Sequence, residues 1–137
     1  MTSTLPDWYL PHAARGLPAH LGIEILELTE AQVVATMPVD DRTRQPYGIL
    51  HGGASVALAE TVASFGATAL IDRERFSAVG QEINANHLRP MRDGVVRAVG
   101  RPLHVGRASQ VWSIEITDER GQLVCVSRCT MAVVERR

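Results

Sequence analysis

The sequence is poor in the features that would place it in a special class. It has two cysteines in 137 residues, Cys125 and Cys129. Four residues apart in a strand, they would lie roughly 13 Å apart on one face, too far for a disulfide with each other. They are expected to be small core residues in a reducing cytosol, and no CxxC or His-rich spacing suggests a zinc site. The formal net charge of −1 argues against general nucleic-acid binding, which needs a basic footprint. No polybasic run suggests a membrane surface. Residues 1–20, MTSTLPDWYLPHAARGLPAH, contain no basic segment followed by an apolar one. No secretory signal is therefore expected, and the expected location is the cytoplasm. There are no repeats and no low-complexity tract.

One apolar run approaches the length of a membrane span, Ala54–Ile71. It is rich in Ala, Ser and Thr, and it carries Glu60 near its middle, where lipid makes a carboxylate expensive. Nothing else approaches a second span, so a buried helix of a soluble protein is expected. The composition, 45% hydrophobic and 21% charged, is that of one ordinary domain able to bury a core without staples.

Residues 1–20 hold three of the seven prolines and read as a loose arm with at most one short helix. The folded domain is expected over 21–137. LGIEILEL (Leu21–Leu28) and QVVATMPV (Gln32–Val39) read as strands joined by a turn at TEA. A polar loop, DDRTRQPYG, leads into the long helix. Four strand-like segments follow, and in RASQVWSIEITD the residues Trp112, Ile114 and Ile116 alternate with Ser113 and Glu115. DERG (Asp118–Gly121) reads as a hairpin turn, as does RDG (Arg92–Gly94). The last four strands are therefore expected to form an antiparallel meander. The economical architecture is α+β: an antiparallel sheet of five to six strands curled around one long central helix. A flank of that helix stays uncovered, so a second chain is expected to cover it.

HGG, at His51–Gly53, sits just before the helix. Two glycines permit a sharp turn and close approach of a ligand. The first helical N–H groups lack internal partners and carry partial positive charge, which suits a carbonyl oxygen becoming an oxyanion. A plain loop-to-helix turn explains HGG equally well. Glu60 is harder to explain structurally, because no Lys, Arg or His lies at i±3 or i±4 to pair with it. Ser64, at i+4, is on the same face and could bond the carboxylate or a water beside it. The functional reading is a general base or nucleophile in a dry pocket, and the structural one an acid paired with a distant group.

QPYGILHGGASVALAET, followed by GQEINANHLRP and RPLHVGRASQVWSIEITDERG, resembles the hotdog-fold acyl-CoA thioesterases. The resemblance covers roughly residues 20–134. It is strongest to the PaaI-like branch that hydrolyses aromatic acyl-CoA esters, such as 1,4-dihydroxy-2-naphthoyl-CoA and 4-hydroxybenzoyl-CoA. It implies that Gln45 and the backbone N–H of Gly52 bind the thioester carbonyl and that His51 shapes that end of the pocket. Glu60 would attack the thioester carbon or activate a water, with Ser64 orienting it. Gly53, His87, Arg89 and the turn Gly106, Arg107, Ala108, Ser109 would sit near pantetheine and the CoA phosphates. Glu rather than Asp at position 60 points to the aryl-CoA side of the branch, and the implied pathway is menaquinone biosynthesis. No metal or cofactor is expected, since CoA is itself part of the substrate. The implied partner is a second copy, in a homodimer with shared active sites, arranged as a dimer of dimers. A hotdog hydratase and a non-catalytic acyl-CoA or aromatic-ligand binder are the alternatives.

Overall fold

Alternation governs the strands. In β5 (Ser109–Thr117), Gln110, Trp112, Ile114 and Ile116 are buried and the residues between them turn outward. β6 (Leu123–Glu135) repeats the pattern with Cys125, Ser127, Cys129 and Met131, and β4 (Val95–Val105) with Val96 and Ala98. That period of two gives one apolar face per strand. The structure, a computed structural model, describes residues 5–137. With β1 (Glu24–Leu28), β2 (Val33–Pro38) and β3 (Phe76–His87), these strands form one antiparallel sheet of six in the order β1-β2-β4-β5-β6-β3.

The long helix, α2 (Gly52–Ala69), lies against this sheet and touches all six strands. It begins two residues before the start expected from the apolar run, because His51 caps it. The His51 Nδ1 accepts the Gly53 N–H at 2.8 Å. Its sheet-facing side is made of small residues, and Leu58, Ala59, Val62, Ala63 and Ala67 are fully buried. Small size is required there. The Trp112 ring packs directly on Gly66, and Val62 packs directly on Gly100, so a methyl group at either glycine would collide. The indole N–H of Trp112 donates to Gln110 Oε1 at 2.8 Å, and Gln110 Nε2 donates to the Ala67 carbonyl at 3.3 Å. Every polar atom buried with that indole is thus satisfied.

The expectation of a four-strand meander is corrected. β4, β5 and β6 form the meander, but β3 pairs with β6 at the sheet's edge and not with β4. Gly94 (φ +87°) does turn the chain, but RDG ends a crossover and closes no hairpin. The other edge of β3 has no partner strand among the described residues.

The arm is not loose over its described part. Tyr9 is 4% exposed, and its ring meets Phe65 edge-on, centroids 4.9 Å apart. The Arg73 guanidinium lies 4.6 Å over the Trp8 ring, and Leu5 and Trp8 pack against the core. A short helix, α1 (Gly16–His20), follows a 3-10 turn at Leu10–His12. Proline content suggested looseness, but burial of aromatic rings outweighs it.

One stripe of α2 remains uncovered. Val56, Ala57, Glu60, Thr61, Ser64 and Thr68 are only half-buried, and their i, i+4 spacing places them on one face. Among the described residues no helix is long and apolar enough to cross a membrane.

Candidate active site

The loop before α2 is held in shape by its own backbone. The Gln45 N–H donates to the Ile49 carbonyl at 2.8 Å, and the Gly48 N–H donates to the Gln45 carbonyl at 3.0 Å. Gly48, at φ +92°, supplies the left-handed residue this tight turn needs. Thr43 is buried and donates to the Pro38 carbonyl at 2.8 Å, while its own carbonyl accepts the His51 N–H at 2.8 Å. The Tyr47 N–H donates to Gln45 Oε1. An oxygen so engaged leaves the amide NH2 of Gln45 as the end free to donate outward.

Gly52 presents the first helical N–H. His51 takes the next amide, that of Gly53, and the Gly52 N–H has no partner among the described residues. A Cβ at Gly52 would stand 2.8 Å from His87 Nε2, so the His87 ring lies over this residue. The segment after β3 is pinned beside it, with Leu88 N–H on the Val124 carbonyl at 2.8 Å and Leu50 N–H on the Met91 carbonyl at 2.7 Å. The result is a cavity of about 360 Å³ whose lining includes Gln45, Gly52, Ser55, His87 and Arg89. Its chemistry is that of donors around an acceptor.

Glu60 lines a different cavity of about 490 Å³, with Gly53, Ser64, Phe65, and Leu17 and Pro18 of the arm. Its carboxylate forms no ion pair or hydrogen bond among the described residues. It lies against β3 at Gly80, where a Cβ would come 2.5 Å from Glu60 Oε2. The β3–β6 register shifts at the same place, between Gly80 and Glu82. The carboxylate is felt across the sheet: burial, then the charges of Glu60 and Glu82, push the Cys129 thiol up to about 11. Ser64 does not bond Glu60. Its Oγ faces Met131 Sδ at 3.9 Å, so its expected bond to the acid is absent in the single chain. The carboxylate is also less enclosed than the apolar run suggested, because it lies on the uncovered stripe.

The two cavities share no lining residue. Gly52 and Glu60 are eight residues apart on one helix, roughly 12 Å along its axis. One reacting carbonyl cannot sit at both. The expected CoA-side residues also divide. His87 and Arg89 lie at the start of α2, whereas Gly106 and Arg107 line a cavity with Leu70 and Ile71 beyond its end. The Gly106–Ser109 turn is closed by the Gly106 N–H on the Ser109 carbonyl at 2.8 Å, and the Ala108 carbonyl accepts the Val133 N–H at 2.9 Å. Ser55, Leu17 and Pro18 line these cavities and Gly80 lies against Glu60, and they carried no signal in the sequence beyond a glycine inside a strand.

Comparison with known proteins shows the family. The thioesterase superfamily pattern matches residues 47–125. The 1,4-dihydroxy-2-naphthoyl-CoA hydrolase of Escherichia coli is 52% identical over 115 residues, covering 84% of this chain and 79% of that protein. A glutamine-to-alanine variant of the Pseudomonas aeruginosa thioesterase PA1618 superposes with a TM-score of 0.91 at 41% identity, covering 96% of both chains. A Staphylococcus aureus thioesterase, at 40% identity, has been crystallised as a glutamate-to-alanine variant (TM-score 0.86, 88% of this chain and 100% of that one) and as a glutamine-to-alanine variant (TM-score 0.82, 85% and 96%). Those two positions are fifteen residues apart, the separation of Gln45 and Glu60. The chain belongs to the thioesterase superfamily, and its six-stranded antiparallel sheet packed on one long helix is the hotdog fold of that superfamily.

Proposed function

We propose that this protein hydrolyses acyl-CoA thioesters carrying an aromatic acyl group, of the 1,4-dihydroxy-2-naphthoyl or benzoyl kind, to the free acid and CoA. The E. coli relative's activity supports the acyl class, and menaquinone biosynthesis is the pathway that goes with it. One observation carries the mechanism: the hydrogen-bond donors and the unpaired carboxylate occupy separate cavities of one chain.

The proposed site takes the Gly52 N–H and the Gln45 amide from one chain, and Glu60 and Ser64 from a second copy. Two α2 helices running antiparallel across a two-fold axis, through their uncovered stripes, create two such sites. The same arrangement carries the end of one α2, nine residues beyond Glu60, past the start of the other. Arg107 of one chain then comes toward His87 and Arg89 of the other, where CoA phosphates would lie. Two such dimers would pair into a tetramer.

Polarisation by Gly52 and Gln45 makes the carbonyl carbon electrophilic. Glu60 takes a proton from water as the oxygen adds to that carbon, or adds its own oxygen to give an anhydride that water then opens. Collapse of the tetrahedral oxyanion breaks the C–S bond. The CoA thiolate leaves and is protonated, and the acid is released. A thiolate is a good leaving group, so the proposal invokes no cofactor.

Complementation tests the shared site. Inactive Glu60→Ala and inactive Gln45→Ala proteins are mixed under conditions that exchange subunits. In a mixed dimer one site is intact and the other carries both defects, so random mixing restores roughly a quarter of wild-type sites. No recovery of thiol release from benzoyl-CoA, with exchange verified by mass, would refute the shared site. No release by wild type across aryl- and fatty acyl-CoA esters would refute the activity.

A further inference from the structure

Ser55 lies in the first turn of α2, three residues after Gly52. It is 1% exposed and lines the cavity that holds Gln45 and Gly52. Helical hydroxyls commonly bond back to the carbonyl four residues earlier. Thr61 and Thr68 of the same helix do so, to Ala57 and Ser64, each at 2.7 Å. Ser55 does not. The His51 carbonyl it would use accepts the Ala54 N–H at 2.9 Å and the Ser55 N–H at 3.3 Å, and Ser55 Oγ has no partner among the described residues. No described side-chain oxygen is both sealed from solvent and unpartnered, so the sliver of Ser55 that stays open is its hydroxyl, and it opens on the cavity.

A hydroxyl this buried without a hydrogen bond is costly, and alanine would favour the helix more. Helical side chains lean toward the N-terminus, over the turn before them. Ser55 therefore leans toward Gly52, which has no Cβ to stand between the hydroxyl and a ligand at the Gly52 N–H. We propose that Ser55 Oγ donates a hydrogen bond to the thioester carbonyl oxygen, as a third donor beside the Gly52 amide and Gln45. This rests on the thioesterase reading given above. The bond strengthens as the oxygen gains negative charge in the tetrahedral state. Ser55 keeps its proton throughout and forms no covalent bond.

Ser55→Ala removes only the oxygen and should fold at least as stably as wild type. Its kcat for benzoyl-CoA is expected to fall on the order of 10²-fold, as for loss of one oxyanion donor, with KM little changed. A second readout separates contact with substrate from a structural role. In a Glu60→Gln background, which holds benzoyl-CoA with turnover slowed about 10²-fold or more, the infrared carbonyl stretch of the bound thioester is recorded. Adding Ser55→Ala should move it to higher frequency, because one donor is gone. A Ser55→Ala enzyme within about threefold of wild-type kcat, or an unmoved stretch, overturns the proposal while leaving the thioesterase reading intact. Absence of turnover by wild type on every acyl-CoA ester overturns both.

Discussion

Along α2, Ala54, Leu58, Val62 and Gly66 are buried against the sheet, whereas Ala57, Glu60, Thr61 and Ser64 lie half-buried on a flank that the sheet only borders, with Glu60 beside Gly80 and Ser64 facing Met131. Both sides are built largely from small residues, for different reasons. On the sheet side, smallness lets the helix approach Trp112 and Gly100 closely. Every added atom there would strain a filled space. On the other side, smallness leaves a half-open surface around one carboxylate with no partner among the described residues. One face of the helix thus determines stability and the other chemistry. Similar composition on two faces is no guide to similar work.

The sharpest way to break this division is Glu60→Gln. Turnover is expected to fall about 10²–10⁴-fold, more if Glu60 is a nucleophile, with KM and melting temperature nearly unchanged. A folded variant that keeps more than about a tenth of wild-type turnover removes the carboxylate from the mechanism. Leu58→Ala probes the opposite face. It should destabilise by about 2–5 kcal/mol in urea unfolding at fixed protein concentration, with kcat per folded molecule preserved. Loss of kcat in the fully folded variant would show that the faces are coupled.

Gly80→Ala tests the boundary between the two. The new methyl group would press on Glu60 Oε2 and swing the carboxylate, lowering turnover about tenfold by misplacement. A stable variant with wild-type turnover would mean that the carboxylate works from another position. The smallest effect concerns Cys129, a sheet-side thiol that feels Glu60. Burial first, then Glu60 and Glu82, raise its folded pKa from 9.0 to about 11. A raised pKa favours the protonated form in the folded state. Its stabilising contribution is full below pH 9.0 and disappears as pH rises toward about 11. Melting temperature should therefore decline over that window, and less steeply in Cys129→Ala. Parallel curves would exclude this thiol as a source of the slope.

The sequence made the elements legible, because period two marks β5 and β6 and a long apolar run marks α2. Sheet order was not legible. The RDG turn looks like a hairpin, and nothing local in FSAVGQEINANH indicates that its partner is β6. Glu60 stood out as the single acid in an apolar run, and the rise of a helix already separated it from Gly52. Gly80 could not stand out, since a glycine in a strand acquires meaning only when the helix is laid across it. Arg89 and Arg107 look like one basic set in the sequence, yet they lie at opposite ends of α2. Trp8 and Tyr9, placed among prolines, gave no sign of their contacts with Arg73 and Phe65.

The position of β3 also sets an order of assembly. The β4–β5 and β5–β6 hairpins close short loops. β3 must find β6 across both, pairing His87 with Cys125 and Phe76 with Glu135. Contacts so distant in sequence form late, because their loop-closure entropy is spent before any ladder forms. His87, the strand's contribution to the Gln45 cavity, and Gly80, which lies against Glu60, would then be set in place after the β4–β5–β6 meander. The kinetic signature is protection of β3 amides lagging behind that of β5 during refolding, with catalytic recovery following β3. Equal protection rates would assign the slow step elsewhere. A thioesterase assembled in this order has its central meander before it has its active site.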